Sequence, residues 1–303
     1  MRKVAPALAS GHRIRHAFIH SQCLNAPHEQ TIDKMDPNGD YLFRIRTVKA
    51  APIRTLSEAL KEILTEANIE VDQTGLKIMA MDGTHTVLVH LRLHADRFDE
   101  YKCAQKYILG INMINLFKLV KTMSNNDSLV MFMERKDTTK MGIVIMNGEK
   151  QMETTFNLNL IELDINPIEI PPVQFSAIIT MPSLDFQKII RDMSTLGETV
   201  EITSASNQLI LKCRGDFAEQ ETVFSVGQGM SVSTSHSEIV QGNFLLKHLV
   251  LFTKCTSLCS DISVYLKNDY PIIIEYSVAG LGEIKLALAP APSKHSHGAT
   301  TKA

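Results

Sequence analysis

Apolar and polar positions alternate along this chain in a way that divides it into four similar stretches, each helical at first and strand-like afterwards. PIRTLSEALKEILTEAN, residues 52–68, is amphipathic at the helical period, and GLKIMAM and TVLVHLRL after it read as strands joined by the turn MDGTH. INLFKLVKTM then predicts a second helix, with SLVMFME and MGIVIMN as its strands. The pattern restarts with SLDFQKIIRDMSTLG before TVEITSA and QLILKCRG, and again with FLLKHLVLFTKCTS before DISVYLK and PIIIEYSV. Four such units imply two similar domains, each a repeated pair. β-branched strands with tight polar turns imply antiparallel sheets with the helices packed on one face, an α+β architecture.

Between the halves runs LIELDINPIEIPPVQF. Pro167, Pro171 and Pro172 forbid a regular helix and withhold donors from a sheet, so this stretch reads as an extended connector. Leu163, Ile165, Ile168 and Ile170 either pin it to the domains or form a groove for partner peptides, and the sequence alone leaves both open. Residues 1–39 carry Arg, Lys and His with no acid before Glu29 and read as a disordered basic extension in preference to an organelle transit peptide. The small, polar, proline-bearing residues 291–303 read as a disordered tail. The expected boundaries are 40–158 for the first domain, 159–174 for the connector and 175–290 for the second domain.

Composition narrows the function. A 303-residue chain that is 44% hydrophobic and 21% charged can bury about two cores, and 31 Lys+Arg against 33 Asp+Glu gives no global basic excess. A nucleic-acid role then requires positive charge segregated on one surface. Cys23, Cys103, Cys213, Cys255 and Cys259 are odd in number and scattered, without a signal-peptide pattern, so they read as buried thiols of a reducing compartment. Cys255 and Cys259 share a helical spacing but have no second ligand pair nearby, so neither a metal nor a cofactor is expected. No apolar run approaches the roughly 20 residues of a membrane span. GQG at 227–229 and GLG at 280–282 do not open helices, and no Walker pattern, nucleophile elbow or HExxH is present, which argues against an enzyme.

The required segregation of charge is visible in the helical stretches. Lys118 and Lys121 in FKLVKT are three residues apart, as are Lys188 and Arg191. Arg54 and Lys61 are seven apart, as are Lys247 and Lys254, and both spacings return to one helical face. Solvated faces of ordinary amphipathic helices would look similar singly. Glu58, Glu62 and Glu66 fall in the first stretch and Asp192 adjoins Arg191, so the third and fourth helices carry the cleaner signal.

Over about residues 41–290 the chain resembles the proliferating cell nuclear antigen family, the eukaryotic-type sliding clamps. LSEALKEILTEAN, AMDGTH followed by VLVHL, FDEYKC, the connector's LDI and IP, MPSLDFQKIIRDMSTLG, LLKHLVLFTKCTSL and PIIIEYSVAGLGEIKLALAP carry the resemblance in order and spacing. It implies the DNA clamp fold, a homotrimeric ring with helices inside and sheets outside, in which Arg54, Lys61, Lys118, Lys121, Lys188, Arg191, Lys247 and Lys254, with Lys150 added by the same pattern, face double-stranded DNA. It further implies a pocket for a Gln-x-x-aliphatic-x-x-aromatic-aromatic motif made by Met81, His85, Thr86, Ile168, Ile170, Pro271, Ala287, Ala289 and Pro290. His85 also reads as a turn residue, and Pro271 as the start of a strand. Ala287 stands where the family commonly has an aromatic ring, and Pro167 and Glu169 replace its usual Gln and Gly, so an altered peptide repertoire is expected.

By the same resemblance, METTFNL with Phe156 and ETVFSVG with Val223 and Phe224 pair between subunits, although Phe156 also reads as core of its own domain. The implied function is a DNA polymerase processivity factor placed on primed DNA by a clamp loader, acting in the nucleus or at a site of viral DNA replication. The alternatives are a subunit of a heterotrimeric checkpoint ring and a monomeric processivity factor.

Overall fold

A computed structural model of the chain describes residues 40–164, 168–227, 229–234 and 239–292. The first half runs β1 (Tyr41–Thr47), α1 (Ala50–Ile63), β2 (Glu66–Asp72), β3 (Gly75–Met81), β4 (Val87–His94), β5 (Glu100–Cys103), β6 (Tyr107–Asn112), α2 (Met113–Val120), β7 (Asp127–Glu134), β8 (Asp137–Asn147) and β9 (Met152–Asn159). The second runs β10 (Ala177–Pro182), α3 (Ser183–Ser194), β11 (Thr199–Ala205), β12 (Gln208–Arg214), β13 (Glu219–Ser225), β14 (Ser231–Thr234), β15 (Val240–Leu245), α4 (Leu246–Phe252), β16 (Asp261–Leu266), β17 (Ile272–Ser277) and β18 (Gly282–Leu288). The α+β expectation holds, and each predicted unit is a strand, a helix and then at least three strands. The expected basic extension, the Pro167 part of the connector, Cys23 and the tail from residue 293 onward lie outside the described residues.

The four units are interlocked in pairs. The first strand of one unit joins the three strands that directly follow the helix of the other, giving sheet orders β5-β1-β7-β8-β9 and β13-β12-β11-β15, all antiparallel. The remaining strands make one nine-stranded sheet, β14-β10-β16-β17-β18-β4-β3-β2-β6, that crosses from one half to the other. Its seam is the β4–β18 ladder, in register from Gly282↔Leu93 to Leu288↔Val87. At Gly282 a Cβ would lie 2.0 Å from the Arg92 carbonyl oxygen, so glycine lets the two halves approach at the start of the ladder.

The buried alternation explains the layering. In β4 the residues Val87, Val89, Leu91 and Leu93 are buried while Leu88, His90 and Arg92 point the other way, and in β18 Ile284, Leu286 and Leu288 are buried. The helices cover the buried side. α1 packs on α2 at one flank and on the 3-10 turn Thr253–Leu258 at the other, and α3 packs on α4 and on that same turn, so the helices form one row.

The first helix is shorter than its periodicity predicts. It ends at Ile63, with Leu64 extended and its N–H bonded to the Leu60 carbonyl. Glu66 therefore belongs to β2, where Ala67 and Val71 are buried at strand spacing between β3 and β6, so tertiary pairing has overridden helix propensity. The fourth helix likewise tightens into a 3-10 turn at Thr253, whose hydroxyl donates to the Val250 carbonyl at 2.7 Å.

Leu286 is fully buried on the helix side of the seam. Leu286→Ala is expected to cost about 2–5 kcal/mol, read as a lowered urea midpoint with far-UV circular dichroism of the native state unchanged.

Candidate nucleic-acid and peptide interfaces

On the helix side, α2 and α3 are structural equivalents. The sequence of buried, half-buried and exposed positions is the same along 113–122 and 183–192, which superposes Lys118 on Lys188 and Lys121 on Arg191. All four are exposed. α2 contains no acid, and Asn112 caps it by accepting the Asn115 N–H at 3.0 Å. α3 carries Asp185 and Asp192 on its exposed side.

The other pair behaves differently. Matching the buried positions of α1 and α4 sets Ala50 against Leu246, which places Lys254 opposite Glu58 and Lys247 opposite Ala51. The shared seven-residue spacing thus does not put the cations of α1 and α4 at equivalent points. Arg54 is turned into the protein, donating to the Met123 carbonyl and, at 3.1 Å, to Asn125 Oδ1 beyond the end of α2. Lys61 pairs with Glu62 and lies 4.8 Å over the Phe117 ring. Glu62 is held below the usual carboxylate range by Lys61 first and, more weakly, by Lys254. Lys247, Lys254 and Lys150 are exposed, Lys150 in the β8–β9 turn with its backbone N–H on Asn147 Oδ1 at 2.9 Å.

The opposite face of the nine-stranded sheet carries a groove of about 870 Å³ beneath the connector. Met81, His85, Thr86, Ile168, Ile170, Pro271, Ala287 and Ala289 all line it, whereas Pro290 lines a neighbouring recess with Ile239, Asn243 and Asn268. Its floor includes an apolar rung across four strands, Met81–Leu88–Ala287–Ile273. Leu88 and Ile273 were not predicted. Their strand alternation was visible, but the β4–β18 pairing that brings them together spans about 190 residues and leaves no local mark.

One end of the groove is fixed by the turn between β3 and β4. Asp82 Oδ1 accepts the backbone N–H groups of Thr86 at 2.8 Å and Val87 at 2.7 Å, and Oδ2 accepts from Thr84. Burial pushes the Asp82 carboxyl up, yet these bonds outweigh it and hold the pKa below its ordinary value. His85 sits in the turn at φ 56° and also lines the groove, so a turn residue and a groove residue are the same side chain here. Phe175 and Tyr270 add aromatic surface to the groove, with ring centroids 5.9 Å apart, and Phe175 also meets Tyr265 at 5.3 Å.

The connector is tied to the sheet edge. The Ile161 N–H donates to the Gly110 carbonyl at 2.9 Å, and the Asn68 amide reaches the Leu163 carbonyl at 3.5 Å. A Cβ on Gly110 would lie 2.0 Å from the Ile161 carbonyl oxygen. Cys255 is buried and its thiol is pushed up to about 12 by that burial, and Cys103, Cys213, Cys255 and Cys259 are free. No group of His, Cys, Asp and Glu that could hold a metal occurs among the described residues.

Comparison with known proteins bears on both faces. Residues 42–167 match the family model described as proliferating cell nuclear antigen, N-terminal domain, and residues 169–291 match its C-terminal domain. A protein of Paramecium bursaria Chlorella virus 1, described as probable DNA polymerase sliding clamp 1, is 36% identical over 253 residues, covering 82% of this chain and 97% of that protein. The crystal structure of proliferating cellular nuclear antigen from Entamoeba histolytica superposes with a TM-score of 0.77 at 28% identity, covering 83% of this chain and 100% of that one.

Gly110→Ala is expected to lift the connector from the β6 edge, seen as faster hydrogen exchange at the Ile161 amide by about tenfold or more, with exchange in β4 and β18 unchanged.

Proposed function

Since the chain belongs to the proliferating cell nuclear antigen family of DNA sliding clamps, we propose that three copies close into a ring around duplex DNA and tether a polymerase at the primer end. The observation that carries this is the single row of four helices with the exposed cations of α2 and α3 at matching points. Repeated around a threefold ring, such a row lines a channel with lysines and arginines at intervals. Lys118, Lys121, Lys188, Arg191, Lys247 and Lys254 form this lining, with Lys150 at its margin. Arg54 and Lys61 serve mainly to join α1 to its neighbours.

Flexible cations on phosphates read no base sequence and exchange partners along the duplex. Each exposed contact is weak, about 0.2–1 kcal/mol, which suits sliding, because retention comes from encirclement and not from affinity. Tethering then converts repeated polymerase capture into an intramolecular event. The clamp itself performs no catalysis in this reading.

Ring closure is supported by two edges. β9 ends one sheet and β13 ends another, and each carries apolar residues that single chains rarely leave bare. Met152 on β9 and Val223 on β13 are 54% and 46% exposed, while Phe156 and Phe224 are half-buried. Pairing β9 of one copy with β13 of the next would satisfy both edges head to tail. A loader must open one such joint. The groove receives the aliphatic and aromatic anchors of partner proteins, with Ile168 and Ile170 above and the Met81–Leu88–Ala287–Ile273 rung below. The domains are then 40–158 and 175–290 joined by 159–174, and the site of action is the nucleus or a site of viral DNA replication.

Charge reversal tests the channel. Lys118→Glu combined with Lys121→Glu is expected to reduce loader-dependent polymerase stimulation on a primed circular template by about tenfold or more, with the solution mass still three times the 33.8 kDa chain. Undiminished stimulation would refute the channel assignment, and a wild-type mass of one chain would refute the ring.

A further inference from the structure

The second and fourth units repeat one another, and the repeat extends past their last strands. Gly110 on β6 and Asn243 on β15 each stand three residues before the first residue of the helix that follows. Their cross-strand partners, Asn68 on β2 and Glu201 on β11, therefore correspond. Buried Leu158 in β9 and buried Leu288 in β18 correspond in the same way. Three residues beyond each leucine the chain ties itself to a sheet edge. The Ile161 N–H donates to the Gly110 carbonyl at 2.9 Å, and the Ala291 N–H donates to the Asn243 carbonyl at 2.7 Å. Past Ile161 the connector runs beside Asn68, whose amide reaches the Leu163 carbonyl at 3.5 Å. The matching surface of the second half is a recess of about 980 Å³, lined by Glu201, Ile239, Gln241, Asn243, Asp269 and Pro292 among others.

We propose that this recess is the seat of the chain's own residues 293–303, which lie against β15 as the connector lies against β6. β15 ends its sheet, and two ties already close part of its outer edge. Asn268 stands in for a paired strand: its Oδ1 accepts the Gln241 N–H at 2.9 Å and its amide donates to the Ile239 carbonyl at 3.1 Å. Ala291 holds the Asn243 carbonyl. The Asn243 N–H and the Gln241 carbonyl point to the same side of the strand and have no bond among the described residues. Ser293, two residues past Ala291, is the counterpart of Leu163 and the next residue whose backbone can meet them. Where the first half has Asn68 the second has Glu201, an acceptor only, which suits an N–H or a lysine. Across the sheet Lys212 pairs with Glu221 at 3.0 Å, and Arg214 pairs with Glu219 at 2.7 Å. The row Asn243–Glu201–Lys212–Glu221 thus carries two carboxylates to one amine. Asp269 makes no ion pair among the described residues. Residues 293–303 hold Lys294, His295, His297 and Lys302 and no acid. Ile239, 60% exposed, and Pro290 offer apolar wall to the lysine stems. Neither ring closure nor peptide capture is needed for this seat.

The test compares the full-length protein with a chain shortened to end at Pro292 and with full-length Lys294→Glu combined with Lys302→Glu, neither of which alters a strand. The Asn243 amide is expected to exchange about tenfold or more slowly in the full-length protein than in the shortened chain, with the amides of β4 and β18 alike in both. The charge-reversed protein should lose about threefold or more of that protection. Raising salt from about 50 to about 300 mM should weaken the protection of the unaltered protein. A carbodiimide, which joins a carboxylate to an amine with loss of water, should link Lys294 to Glu201 or Asp269 within one chain. Equal exchange at Asn243 in the full-length and shortened proteins would overturn the proposal, as would Lys294 links to carboxylates outside the recess alone. A Lys294–Glu201 link found only in two-chain species would give the recess to a second copy's residues 293–303 and overturn it as well.

Discussion

The β4–β18 ladder is the constraint from which the two faces of the molecule follow. It makes one sheet out of strands contributed by both halves, and it fixes which side chains of each strand point to which side. Because the side-chain period of a strand is two, a slip of one residue would turn Leu286 and Leu91 outward and Leu88 and Ala287 into the core. The core residues Ile284, Leu286 and Leu288, each 0% exposed, hold that register from below. The groove rung and the helix row are thus two consequences of one pairing.

Those faces have opposite physical demands. On the helix side the exposed cations of α2 and α3 stand clear of the core and make no ion pair among the described residues, which suits exchangeable contact with a polyanion. Arg54 and Lys61 show what the alternative looks like: each has been drawn into fixed partners and helps hold α1 against α2. The groove side needs the reverse, a preformed surface that keeps an anchor in place. Its rung comes from four strands of a continuous sheet, where backbone pairing leaves little freedom to rearrange.

Much of this was legible in the sequence because it is local. Helical and strand periods located the four units, and the three-residue spacings of Lys118–Lys121 and Lys188–Arg191 fall at matching points of α2 and α3. The seven-residue spacings of Arg54–Lys61 and Lys247–Lys254 are alike in the sequence but fall at different points of α1 and α4, since a spacing has no phase until the buried positions are known. Glu66 was misplaced for a related reason: TEAN suits a helix by propensity, and only its pairing with Asn112 on β6 makes it a strand. The connector's apolar residues were legible, and so was the loss of an aromatic ring at Ala287. The Phe175–Tyr270 contact was not, because those residues are 95 apart and meet only in the folded chain.

The two walls of the groove are held by different means, and that difference bears on how it discriminates. The β3–β4 turn is locked by one carboxylate accepting several N–H and hydroxyl groups, so its side is organised before any partner arrives. The connector is held at its start by the Ile161–Gly110 bond and at its end by the Phe175 ring contacts. In the proposed peptide site, pre-organisation would lower the entropy cost of binding on the first side. Floor and turn would then contribute alike to any peptide that carries the anchors. Discrimination among peptides at the proposed site would then come from groups outside the anchor rung, and the mixed-charge rows Met79–His90–Lys285–Glu275 and Lys77–Arg92–Glu283 are the ones the sheet places next to it.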